Sequence, residues 1–297
     1  MRFHQAVAFL ETEQLVELAR ATDELGYAGI YLSDHLFYPR ELRSRYTYSP
    51  HEDGSPIWSP ETEWPDTWCL VSAMAAVTAN LTFTSGVYIA PARDLITVAK
   101  LVGTAAVLSR DRVRLGVGAG WCREEFDATG QDFDDRGPRL DDMIPALRAL
   151  LHPGWVEYHG THYDVAAMQM NPAPRQAVPI YVGGHSKPAI RRAAALGDGW
   201  IAAGAYSEDD AWHYLELVQA ARRADGTADR PFDIYLALAA LPDPDLYRRF
   251  EDAGVTDMVC APWMLASMSD DRDYRSALDA KLAATEAFAT DVIARMS

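Results

Sequence analysis

The chain repeats one pattern from end to end: a short run of β-branched and apolar residues, then a stretch whose apolar residues recur at helical spacing. The runs fall at residues 2–9, 28–32, 81–89, 113–117, 179–182, 199–203, 232–239 and 257–261. Parallel strands must be joined by crossovers, so strand and helix alternate in sequence when a parallel sheet is built. Eight such units without a linker or low-complexity tract predict one (β/α)8 TIM barrel spanning 1–297, and a barrel keeps a chain of 297 residues around one core. The first helix is expected to start at Thr12 as N-cap, to turn Leu15, Leu18, Thr22 and Leu25 inward and to stop at Gly26. A last helix from about Asp273 to Arg295 is expected to close the ring.

Two insertions break the rhythm. Residues 36–66, after strand two, are too many for a simple connection and carry Tyr38, Tyr46, Tyr48, Trp58 and Trp64. Loops that follow barrel strands stand over the face where catalysis is placed. Before strand five, within 152–178, the run Trp155 to Val165 alternates around Gly160 like a β-hairpin and is expected to cap the barrel too.

Composition narrows the function classes. A formal net charge of -16 would repel a phosphate backbone or an anionic membrane, so neither nucleic acid nor membrane is an expected partner. There is no stretch of eighteen apolar residues and no basic-then-apolar leader, which predicts a cytoplasmic protein. Cys69, Cys122 and Cys260 are too few and too scattered for a disulfide framework or a CxxC metal site and read as reduced thiols. The histidines show neither HxH at a strand end nor HExxH, so no metal site is assigned.

Four constellations could carry chemistry. Ser33-Asp34-His35 ends strand two, where polar side chains project into the mouth, and His35 can exchange a proton near neutral pH. Asp34 as a loop cap and His35 as a structural histidine is the bland alternative. Ser85-Gly86-Val87 places a glycine inside an apolar strand, a sign of a bulge or of a ligand close to the backbone. The turn Gly116-Val117-Gly118-Ala119-Gly120-Trp121 lacks the context of a dinucleotide fingerprint, and its glycines more simply let a planar ring lie near the backbone. Gly183-Gly184-His185-Ser186, followed by Lys187-Pro188, exposes backbone N–H groups at a helix start, where a phosphate fits.

Taken in order, these segments resemble the luciferase-like monooxygenase superfamily, most closely its F420-dependent oxidoreductases. The most specific part is Gly116 to Phe126 with Gly130, Asp132-Phe133 and Arg136 to Asp141, and the likeness runs from strand two through Gly197-Asp198-Gly199-Trp200, over half the chain. The resemblance implies a bacterial-luciferase-like barrel holding coenzyme F420, or alternatively FMN, at its mouth. It implies His35 as the catalytic histidine and a cofactor site made by Asp34, Ser85, Gly86, Val87, Gly118, Gly120, Trp121, Gly183, Gly184, His185 and Ser186, with the bond Gly86–Val87 in the cis form. Tyr48, Trp58 and Trp64 would wall the substrate pocket. Some sugar-phosphate dehydrogenases of the family carry a glutamate at the position of Trp121; Glu124 and Glu125 come later, and the resemblance gives neither that role. The expected activity is hydride transfer between F420 and a small organic substrate. An FMN monooxygenase fed by a partner reductase, and a non-catalytic cofactor-binding member of the fold, are the alternatives; a homodimer is expected from the family.

Overall fold

In the computed structural model, which describes residues 1–49, 51–266 and 274–296, eight parallel strands close into a barrel. They are β1 (Arg2–Ala6), β2 (Gly29–Leu32), β3 (Thr82–Ser85), β4 (Val113–Val117), β7 (Ile180–Gly183), β8 (Gly199–Tyr206), β9 (Asp233–Leu238) and β10 (Asp257–Cys260). The β1–β10 pairing completes the ring. The two remaining strands, β5 (Val156–His159) and β6 (Asp164–Met168), form the antiparallel hairpin in the second insertion.

The outer helices start where the sequence supplies caps. In α2 (Thr67–Ala75), α3 (Leu95–Leu108), α6 (Lys187–Leu196), α7 (Glu208–Ala224) and α8 (Pro244–Asp252), an Asp or Ser side chain accepts a backbone N–H of the first turn. The remaining helices of the chain include α1 (Leu15–Glu24), α4 (Arg123–Thr129), α5 (Arg136–Leu150), α9 (Leu278–Phe288) and α10 (Ala294–Met296). The main core lies between strands and helices, and a smaller cluster of Tyr181, Ile201 and Tyr235 with Tyr31, Val87 and Val259 fills the barrel. At the strand starts a polar plug ties the ring together. Arg2 donates to Asp257 and Asp233, His4 Nε2 lies 2.6 Å from Asp257, and the Tyr181 hydroxyl donates to Asp233. No helix among the described residues is long and apolar enough to cross a membrane.

Several expected boundaries shift, each for a local reason. Strand one ends at Ala6, and the chain then turns through Phe9 at φ 69°. Strand three stops at Ser85; the Gly86–Val87 peptide that follows is cis, and Tyr88 returns to bridge Val117. Thr12 does not cap α1; a 3-10 turn over Thr12–Gln14 precedes it, although Leu15, Leu18 and Thr22 are buried and Gly26 stops the helix at φ 80°. The hairpin lies along α5 rather than over the mouth, since Asp142 accepts from the Tyr158 hydroxyl and from the N–H groups of His162 and Tyr163. The last helix is not continuous: residues 274–277 are not helical, α9 follows, and a π-turn over Ala289–Ile293 separates it from α10. Its expected start at Asp273 lies outside the described residues.

Lys281 on α9 is fully buried and donates to Glu11, Gln14 and the Ser276 carbonyl at 2.7, 2.8 and 2.6 Å. This clasp joins the chain's two ends across the β1 side of the ring. Removing one partner leaves a buried charge uncompensated, so Lys281→Ala is expected to cost about 3–5 kcal/mol. Chemical unfolding monitored by fluorescence checks the figure, and the double change Lys281→Met with Glu11→Leu should recover much of the loss.

Candidate functional site

The strand ends gather around one side chain. Val87, just past the cis peptide, sits between two glycines on neighbouring strands. A Cβ at Gly118 would come within 2.4 Å of Val87 Cγ2, and one at Gly183 within 2.3 Å of Val87 Cγ1. Behind it, Gly86 lies so close to the Tyr31 ring that any side chain would overlap it, and a Cβ at Gly116 would meet the Ser85 carbonyl at 1.9 Å. Real Cβ atoms do not approach this closely, so glycine is what lets β2, β3, β4 and β7 draw together here. Gly120, at φ 85°, packs its backbone on Ile89 and Phe126.

On the same rim His35 leaves β2 with a nearly buried ring; its side chain is 11% exposed. Its Nδ1 lies 3.0 Å from Glu125 Oε1, and the same oxygen accepts the Leu36 N–H at 2.7 Å. The rings of Trp58, Trp64 and Trp121 surround the imidazole at centroid distances of 4.9, 4.9 and 5.6 Å. Phe9 stacks on Trp58 from β1's side, and Tyr46 meets both Trp58 and Trp121. Phe9 also lines a separate cleft of about 280 Å³ with Glu11, Glu63, Tyr274 and Arg275, on the outer side of this aromatic wall.

At the opposite edge of the mouth, Ser186 caps α6 by accepting the Ala189 N–H, with Pro188 in the first turn. Gly184 adopts φ 120° and accepts the Trp200 indole N–H at its carbonyl. His185 stacks on Tyr214 at 5.2 Å and 8° and meets the edge of Tyr48, so the first insertion spans the mouth from β2 to β7. Burial lowers the pKa of His185, which keeps its imidazole neutral. Among the described residues His185 Nδ1 and Trp64 Nε1 are buried without a hydrogen-bond partner. Buried polar atoms are rarely left unsatisfied, and these two flank the place where a ligand would lie.

Not every expected ligand is available. Both Asp34 oxygens are engaged by Arg93 at 2.7 and 2.8 Å, and one also accepts the Ile89 N–H at 2.9 Å. Burial pushes the Asp34 carboxyl up, and the two parallel N–H donations from Arg93 oppose that shift. Asp34 is therefore an anchor between the β2 and β3 loops rather than a cofactor contact. The Ser85 hydroxyl is likewise committed, bonding both the N–H and the carbonyl of Gly116. Gly86, Val87, Gly118, Gly120, Trp121, Gly183, Gly184, His185 and Ser186 all stand on the rim, as do Tyr48, Trp58 and Trp64. Arg93, Phe9, Tyr206 and Tyr214 join the site without having been singled out, and Tyr46 joins it from the aromatic insertion. The paired acids at the start of α4 were the available signal for Glu124 and Glu125, because carboxylates are favoured at a helix N-terminus.

A closed parallel barrel whose strand ends carry a histidine, an aromatic lid and a helix start in one ring is a (β/α)8 ligand-binding barrel of the kind built for catalysis at the carboxyl face. The chain belongs to the luciferase-like monooxygenase family, whose model it matches over residues 4–288. It is 35% identical over 296 residues to an uncharacterized protein of Mycobacterium tuberculosis (strain H37Rv), with each chain covered in full. It is 28% identical over 191 residues to the F420-dependent glucose-6-phosphate dehydrogenase of Amycolatopsis mediterranei, covering 63% of this chain and 52% of that one. In fold it is similar to an F420-dependent secondary alcohol dehydrogenase solved with an F420–acetone adduct, at a TM-score of 0.74 and 13% identity, covering 100% and 99% of the two chains.

The second acid of the pair pins the lid. Glu124 accepts the N–H groups of Arg43 and Ser44 at 2.6 and 3.1 Å and the Ser44 hydroxyl at 2.7 Å. Burial alone would raise this carboxyl, but these donors outweigh it and hold the pKa at about 2, below the usual 4.5. A lowered folded-state pKa stabilises the anchored loop fully above pH 4.5 and loses that contribution as pH falls toward 2. Proteolysis within 36–66 should therefore accelerate over that window. At pH 7, Glu124→Gln should speed cleavage about fivefold, equivalent to roughly 1 kcal/mol at a partly exposed site.

Proposed function

We propose that this protein is an F420-dependent oxidoreductase, in which a hydride passes between the deazaflavin and a small organic substrate and His35 takes or gives the accompanying proton. The observation that carries this reading is the convergence on one rim of His35, the Val87 bulge set between Gly118 and Gly183, and the α6 start at Ser186. The F420-dependent relative and the F420-dependent neighbour in fold support the choice of cofactor.

The residues present suit such a group. Val87, with the flat glycine backbone on either side, offers a shallow apolar seat against which a planar ring can rest. The α6 N-terminus and the unpartnered His185 Nδ1 suit the phosphate of its tail. When bound, the deazaflavin supplies a two-electron hydride acceptor or donor. Everything else falls to the chain. Trp58, Trp64 and Trp121 exclude water around His35, which strengthens its electrostatic interactions and favours direct proton exchange with the substrate. The Leu36 N–H donates to Glu125 Oε1, the oxygen that lies 3.0 Å from His35 Nδ1, and Nε2 is left to exchange that proton.

Reduced FMN with O2 is the rival cofactor chemistry, because its tricyclic ring asks for the same seat. Titrating the purified protein with F420 and, separately, with FMN separates them by absorbance. Saturable F420 binding, followed by its reduction with one of a panel of secondary alcohols and sugar phosphates, is expected. Tight retention of FMN with O2-dependent product and no F420 binding would overturn the proposal. His35→Ala should leave F420 affinity within about twofold and lower kcat by roughly 10² to 10⁴, the usual contribution of a general acid–base.

A further inference from the structure

We propose that Glu125 is a positioning residue that fixes His35 as its Nδ1–H tautomer, so that Nε2 alone meets the substrate. The inference rests on the proton-handling role given to His35 above, and nothing in the family match or the relatives' descriptions assigns Glu125 a part.

The geometry leaves little freedom. A backbone N–H can only donate, so the Leu36 amide at 2.7 Å makes Glu125 Oε1 an acceptor. With Glu125 as the carboxylate, the His35 Nδ1 at 3.0 Å from the same oxygen carries a proton, since a bare nitrogen would set two lone pairs against each other. The bond is shielded, with the Glu125 side chain 2% exposed, so water does not compete for either partner. An unconstrained histidine side chain in water prefers the opposite tautomer, with its proton on Nε2, where that nitrogen could not accept a proton from a substrate. Glu125 reverses that preference.

Charge in the neighbourhood points the same way. The groups facing this pair are Asp34, Arg93 and the Cys122 thiol. Arg93 is already matched by Asp34 through two hydrogen bonds. Burial, followed by the nearby Glu125 carboxylate, pushes the Cys122 thiol up to about 12, so it stays neutral. The Glu125 carboxylate is thus the one charge of this cluster without a permanent partner, and a proton arriving at His35 Nε2 completes its ion pair. The adjacent acid, Glu124, faces the lid backbone instead and is the internal comparison.

The test uses the full-length protein labelled with 15N-histidine, the His35→Asn variant identifying the His35 signals. Wild type is expected to show a protonated Nδ1 and a bare Nε2, and Glu125→Leu to shift toward protonated Nε2. In Glu125→Gln the amide oxygen can still accept both N–H groups but the charge is gone. It should keep the wild-type tautomer and melting temperature, bind F420 within twofold of wild type and lose about tenfold in kcat with KM little changed. Glu125→Leu should lose about a hundredfold. A bare Nδ1 in the wild-type spectrum overturns the proposal, as do unchanged His35 nitrogen signals in Glu125→Leu; the first result decides alone if the leucine variant does not fold. The nitrogen spectra are recorded without cofactor. If the protein binds neither F420 nor FMN, the enzyme reading fails while the tautomer is still settled.

Discussion

The rim depends on one steric constraint: four places where a side chain would not fit. Val87 lies between Gly118 and Gly183, the Tyr31 ring lies on Gly86, and the Ser85 carbonyl presses on Gly116. These approaches bring the ends of β3, β4 and β7 closer than side chains would allow, and Ser85 locks the β3–β4 step by bonding both backbone groups of Gly116. Because β3 ends at Ser85, the segment beyond it is free to turn aside. Ile89 then reaches Asp34 through its N–H, and Arg93 closes the bidentate contact. His35 leaves the strand next to that anchor. A steric condition among glycines thus sets where a charged pair forms, and the charged pair sets where the histidine begins.

The features legible in the sequence are those set by local rules. The alternation of strand and helix follows from what each element must bury, so eight units and their order could be read directly. The same holds for Gly26, whose positive φ ends α1, and for Ser186, whose hydroxyl suits a helix start. Failures occurred where a distant partner decides. In the apolar run 81–89 Gly86 marks an interruption, but that strand pairing ends at Ser85 is set by close contacts with β4 and β7. Asp34 looks like a mouth residue until Arg93, 59 positions away, is folded against it. The hairpin around Gly160 is expected to cap the barrel, yet Asp142 on α5 draws it to the flank.

The aromatic residues show a similar division. Tyr48, Trp58 and Trp64 were marked by their density in an overlong loop, which is a compositional signal. Tyr46 shares that signal, whereas Phe9 and Tyr214 come from separate segments with no common signature, but all three complete the walls around His35 and His185. A wall made from both strand-end and loop residues must be assembled by the loop's docking. The lid's backbone at Arg43 and Ser44 is therefore as much a part of the site as any ring.

That docking and the orientation of the histidine share one origin. Glu124 and Glu125 are neighbours in the first turn of α4, where the unpaired N–H groups of the helix favour negative charge. Successive helical residues point about 100° apart. One carboxylate therefore reaches outward to the lid while the next reaches inward to His35 and Leu36. Arg136 donates to the Gly120 carbonyl just before the turn, fixing the approach to α4, and Phe126 just after the two acids is fully buried against Ile89. The helix start cannot shift without moving both contacts. One turn of α4 thus fixes both the lid backbone at Arg43 and Ser44 and the imidazole of His35.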